Sequence, residues 1–148
     1  MFFDLDDDER ALQSGIRELA AGRISMQRVR ATDVTAGVDR ALFVELAEAG
    51  VFGLTMREAD GGLGLGTTHA AVVFEELGRV LAPGPLVATH LAAGGIPGAA
   101  EGTTIVGVLE RARLPLAIEH LGGLDVLLVI DDSGVHKVAA AEIVGIPV

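Results

Sequence analysis

Asp60-Gly61-Gly62-Leu63-Gly64-Leu65-Gly66 runs straight into Thr67-Thr68-His69-Ala70-Ala71-Val72-Val73-Phe74-Glu75-Glu76-Leu77-Gly78-Arg79, a glycine-dense loop opening a helix-forming stretch. The glycines permit backbone angles closed to other residues, so the loop reads as a tight turn. Ala70, Phe74, Leu77 and Leu81 then recur at helical spacing, which predicts a helix over about 68–81 with those four on its buried stripe. Glu75 and Arg79 stand at i,i+4 and predict a surface pair. Adjacent helical residues point in different directions, so Glu75-Glu76 reads as a solvated face rather than an acid–base couple.

The same reading extends outward. Upstream, Leu12, Ile16, Leu19 and Ala20 predict a first helix over about 7–21, with an acidic first turn and Gly22 as its stop. A second, over about 39–49, has Asp39 as candidate N-cap, Leu42, Leu46 and Ala49 on one face, and Gly50 after its end. Downstream, Ala82-Pro83-Gly84-Pro85 ends the glycine-loop helix and puts Pro85 at the first position of a fourth, running to about 93. Beyond Thr103 the pattern changes to short β-branched runs at 104–109, 114–118, 126–130 and 135–138, the last two joined by the turn Asp131-Asp132-Ser133-Gly134. The expected class is α+β: an all-helical domain over 1–102, followed by a short antiparallel β segment over 103–148.

Composition excludes several functions. The absence of cysteine removes thiolate catalysis, Cys-ligated zinc and iron–sulfur clusters. A net charge of −10, with the cations scattered, repels a phosphate backbone on average. Five Phe with no Tyr or Trp leave little to stack bases, so nucleic acid is not the expected partner. Gly, Pro and Asp break every apolar run before the ~20 residues of a membrane span. The acidic opening Asp4-Leu5-Asp6-Asp7-Asp8 does not resemble a secretory signal, and cytoplasm is the default expectation. Half the residues are hydrophobic and the mean hydropathy is +0.49, so part of the apolar surface is expected to be covered by another chain or a further part of this one.

The glycine loop could present N–H groups to phosphate, yet Gly62, Gly64 and Gly66 give G-x-G-x-G, not a dinucleotide or P-loop fingerprint, and a structural turn is preferred. His69, His90, His120 and His136 are too widely spaced for a helical ligand pair, and no metal site is expected. Ser14, Ser25 and Ser133 lack a nucleophile elbow. The fourth helix is more informative: Leu86, Thr89, His90 and Ala93 share one face of a segment otherwise apolar all round. Such a face suits the wall of a cavity for an apolar ligand with a polar group; the competing reading is a core helix whose Thr and His are hydrogen-bonded locally.

Taken together, Gly50-Val51-Phe52-Gly53-Leu54, Arg57 through Gly66, Val72 through Arg79 and Leu81-Ala82-Pro83-Gly84-Pro85-Leu86-Val87-Ala88-Thr89, with the opening Phe3-Asp4-Leu5-Asp6 to Leu19, resemble the N-terminal helical domain of the acyl-CoA dehydrogenases. Leu124-Asp125-Val126-Leu127-Leu128-Val129-Ile130 resembles a strand of the family's middle domain. The resemblance implies a flavoprotein that removes the α proton and β hydride of an acyl-CoA thioester, using a glutamate as base and FAD as acceptor. It also implies that the segment after the third helix, with Leu86, Thr89, His90 and Ala93, lines the acyl pocket. Between Gly102 and Asp125 nothing matches the family's flavin-cradling motif, Tyr/Trp-x-x-Ser/Thr-Glu-Pro-x-x-Gly-Ser-Asp, and the catalytic glutamate belongs to a C-terminal domain. No catalytic or cofactor-binding residue is therefore assigned to this chain. FAD is expected to be supplied mainly by a partner, a complete subunit of the family, in a hetero-oligomer. The alternative is a non-catalytic binding or scaffolding module that keeps the helical domain.

Overall fold

The computed structural model describes residues 4–34, 37–111 and 117–143. Helix α1 (Asp7–Arg23) starts from a capping box in which the Asp6 carboxylate accepts from Glu9 N and the Glu9 carboxylate accepts from Asp6 N. It runs through Gly22, the expected stop, and ends where Ile24 turns into the core. A short helix not anticipated from the sequence follows, α2 (Met26–Val34). Then come α3 (Arg40–Glu48), with Asp39 as N-cap accepting from Leu42 N, α4 (Thr67–Arg79) and α5 (Leu86–Ala92). Pro85 is the N-cap of α5 rather than its first residue.

The strands are β1 (Val106–Glu110), β2 (Val126–Asp131) and β3 (Gly134–Ala139), in that order across one sheet. The α+β class stands, but the β segment is mixed rather than antiparallel throughout. β2 and β3 form the expected hairpin, with Asp131 opposite Gly134, whereas β1 and β2 are parallel, with Val106 opposite Val126. The connection 111–125 is long enough to carry the chain back to the same end of the sheet, which a parallel pair requires. Of the run expected as a strand at 114–118, residues 114–116 lie outside the described residues, and Ala117 and Ile118 are not in a strand.

One main core holds these parts together. Phe43 of α3 and Phe52 after it stack with ring centroids 5.3 Å apart, both fully buried, among Ile16, Leu46, Leu77, Ile105 and Leu127. Gly102 lies against α3 with φ +68°, and a Cβ there would come within 2.4 Å of the Phe43 carbonyl, so helix and chain meet only because the side chain is absent. A fork of hydrogen bonds reinforces the contact. The Arg40 guanidinium donates to both Asp125 oxygens at 3.1 and 2.9 Å and to the Gly123 carbonyl, while Asp125 also accepts from the buried Ile105 N–H at 2.8 Å.

Two expectations for α4 change. Glu76 is not solvated: only 2% exposed, it accepts from Arg17 through Nε and Nη2 and from Gln13, with Arg79 at 3.3 Å, and so ties α1 to α4. Leu81 leaves the buried stripe because the helix ends at Arg79; it takes a positive φ and is 61% exposed. Ala70 and Leu77 are buried as expected, and Phe74 is half-buried.

Candidate functional site

The glycine loop spends its donors internally. Gly61, Gly62, Leu63, Gly64 and Leu65 donate their N–H groups to the carbonyls of Glu58, Arg57, Gly53, Met56 and Leu54, at 2.7–3.0 Å. Phosphate would have to displace those bonds, so the loop is a structural turn. A Cβ at Gly62 would lie 2.3 Å from Met56, which shows how closely the loop folds back on the turns before it.

The face Leu86, Thr89, His90 and Ala93 is buried throughout. Thr89 Oγ1 accepts from Val106 N at 3.1 Å, fastening α5 to β1. His90 Nδ1 lies 3.1 Å from the Phe52 carbonyl, which requires that nitrogen to carry the proton; Nε2, 3.3 Å from Thr55 Oγ1, is then the acceptor. The Phe74 ring packs against the imidazole at 5.2 Å.

Two clefts flank this face. One, of about 250 Å³, lies between α4 and α5 and is lined by Phe74, Leu77, Gly78 and Ala82 on one side and by Gly84 through Ala88 on the other. The second, of about 230 Å³, lies at the far end of α5 and includes Met56, Ala93, the turn 94–98 and Glu101. Leu86 therefore lines the first cleft and Ala93 the second, while Thr89 and His90 line neither and hold the helix between them. The sequence reading missed Val87, Ala88 and Gly78. Their signal was present, since a helix apolar all round has a second face to account for: Val87 is 51% and Leu91 74% exposed, one turn apart.

Among the described residues no side-chain cluster is arranged for catalysis. At the hairpin, His136 Nε2 faces both Ser133 Oγ at 2.8 Å and Asp131 Oδ1 at 3.2 Å. A relay would need the carboxylate on the other ring nitrogen. Hydrogen bonds from the Ser133 hydroxyl and N–H bring the Asp131 carboxyl down to about 2, the behaviour of a turn carboxylate. Among the described residues no group of three or more His, Asp or Glu is arranged to hold a metal, and no helix is long and apolar enough to cross a membrane.

Residues 6–104 match the family model described as Acyl-CoA dehydrogenase, N-terminal domain. This chain belongs to the acyl-CoA dehydrogenase family. It is 39% identical over 79 residues to the benzylmalonyl-CoA dehydrogenase of Aromatoleum aromaticum, a match covering 53% of this chain and 21% of that protein. Among solved structures, a variant of the Tcur3481–Tcur3483 steroid ACAD is similar with a TM-score of 0.69 and 26% identity, over 90% of this chain and 48% of the other. The ChsE4–ChsE5 complex from Mycobacterium tuberculosis gives a TM-score of 0.72 at 22% identity, over 95% of this chain and 49% of the other. The chain thus spans about half the length of those structures and about a fifth of the curated relative.

The family implies FAD. A flavin dinucleotide needs donors for its diphosphate and a pocket at least in the range of about 300–1,000 Å³. Neither cleft is lined by an Arg, Lys or His, and both are smaller than that range. Neither of these two clefts fits the cofactor by itself.

Proposed function

We propose that this chain forms part of the acyl pocket in a larger acyl-CoA dehydrogenase assembly, which carries out α,β-dehydrogenation of an acyl-CoA thioester. The observation that carries the reading is the apolar cleft between α4 and α5, which lies within the residues matching the family model. In this reading FAD and the catalytic base come mainly from a partner, a complete subunit of the same family. Two solved neighbours, the Tcur3481–Tcur3483 steroid ACAD and the ChsE4–ChsE5 complex, are named as two-component proteins, which supports a hetero-oligomer; in this reading the assembly acts in steroid side-chain or fatty-acid catabolism in the cytoplasm.

Leu86 contributes by contact with the acyl group. Thr89 and His90 contribute by holding α5 against β1 and Phe52, and Ala93 by shaping the second cleft. The alternative, a non-catalytic binding module, draws on the same observation that Thr89 and His90 are engaged in packing. Co-expression with a family member that carries the flavin motif separates the two. A co-purifying yellow complex of defined stoichiometry is the expected result. A monodisperse, cooperatively melting monomer that ignores every such partner would favour the module.

A further inference from the structure

We infer that Asp60 is a covalent modification site, converted to isoaspartate through its neighbour Gly61, and that the Arg57 side chain slows the conversion. The chain has no asparagine, and Asp60 is its only aspartate followed by glycine; every other aspartate precedes a residue with a side chain. The chemistry depends on that difference. The Gly61 nitrogen, losing its proton, attacks the carbon of the neutral Asp60 carboxyl group. A C–N bond forms, a carboxyl C–O bond breaks and the hydroxyl leaves as water, which closes a five-membered succinimide. Water then opens the ring. Breaking the bond to the side-chain carbonyl restores aspartate, whereas breaking the bond to the main-chain carbonyl leaves the chain running through the Asp60 side chain, with a free α-carboxylate. The water lost is the water regained, and nothing is oxidised or reduced.

Asp60 ends the short 3-10 turn Glu58–Asp60, and Gly61 follows it with φ +84°, in the region that favours glycine. Both residues are exposed, and a Cβ placed on Gly61 would meet nothing within 4 Å, so the ring has room to form. Two contacts engage the reacting groups. The Gly61 N–H donates to the Glu58 carbonyl at 3.0 Å, and the Asp60 carboxylate accepts from Arg57 Nε at 2.7 Å. Each must be released before the ring closes. The ion pair is exposed, and pairs of that kind shift an equilibrium by no more than about fivefold, which bounds the Arg57 effect. The product does not suit the loop. It adds one main-chain atom between the α-carbons of residues 60 and 61, where the N–H groups of residues 61–65 are committed to the carbonyls of residues 53–58 and a Cβ on Gly62 would already lie 2.3 Å from Met56. The new α-carboxylate stands on an exposed turn, within reach of a carboxyl methyltransferase.

The test ages the full 148-residue chain in neutral buffer at physiological temperature for several weeks and digests it with trypsin. Asp60 is the only aspartate in the tryptic peptide 58–79, and also in the peptide 41–79 that Arg57→Ala leaves. The isoaspartyl form has the same mass, separates by reversed-phase chromatography, and takes a labelled methyl group from S-adenosylmethionine when an isoaspartyl methyltransferase is added. We expect it to accumulate with time in the unaltered chain and about two- to fivefold faster in Arg57→Ala, whose exposed position leaves the fold intact by circular dichroism. Asp60→Glu, which would have to close a six-membered ring, should give none at that position. No methyl-accepting peptide from either the unaltered chain or Arg57→Ala overturns the site, and equal rates in folded Arg57→Ala overturn the role of Arg57.

Discussion

His90 shows how a side chain can look like a ligand contact and serve as a strut. From its spacing it shares a face with Leu86, Thr89 and Ala93, and the sequence allowed either a pocket wall or a locally satisfied core histidine. Its two ring nitrogens face the Phe52 carbonyl and Thr55 Oγ1, and its ring packs against Phe74, so it fixes where α5 lies relative to the Phe43–Phe52 stack. Replacing it with leucine keeps the volume but strands a buried carbonyl, which costs about 1–3 kcal/mol. We expect His90→Leu to lower the melting temperature by several degrees, read by differential scanning calorimetry. His90→Gln, which can donate to the same carbonyl, should recover part of the loss. An unchanged melting temperature in the leucine variant would show that the bond carries no weight.

Among the elements, those with an apolar stripe were legible and those held by polar contacts were not. α1, α3, α4 and α5 all fall within a few residues of their expected spans because each buries a stripe against one core. α2 was missed because polar contacts fix its place: Ser25 Oγ accepts from Arg28 N at its first turn, and the Arg28 side chain reaches Asp39, the N-cap of α3, and Glu45 within α3. No periodicity announces such a helix. Glu76 was misplaced for a related reason, since its partners Arg17 and Gln13 lie some sixty residues away in sequence. The α5 face was half legible: its spacing could be read from the sequence, but burial had to be seen to tell the buried face of Leu86, Thr89, His90 and Ala93 from exposed Val87 and Leu91.

Those same polar links predict a pH dependence. The hydrogen bond from Arg17 holds Glu76 below its ordinary 4.5, and that from Arg28 holds Asp39 below its ordinary 3.8. Depressed folded values mean that the unfolded chain binds protons first on acidification. The stabilisation is therefore complete above about pH 4.5 and lost as pH falls through and below 3.8. Thermal melts from neutral pH downward should stay flat and then fall in that window, and Glu76→Gln should fall less steeply. A melting temperature that rises on acidification would contradict these assignments.

For the whole molecule, apolar surface is left exposed on the sheet and on α5. Val108, Ile130 and Val135 are exposed on the sheet, Val87 and Leu91 on α5, while β1 and β3 are the outer strands of a three-stranded sheet. The central claim is that the outward side of the α4–α5 cleft touches the acyl group, and Val87→Trp in the flavin-containing complex tests it most directly. Val87 is half exposed and lines the cleft, so tryptophan fills the space without entering the core. We predict a fall of about tenfold or more in kcat/KM for acyl-CoA, carried mainly by KM, with flavin content and complex size unchanged. An intact complex with unaltered kinetic constants would contradict the account.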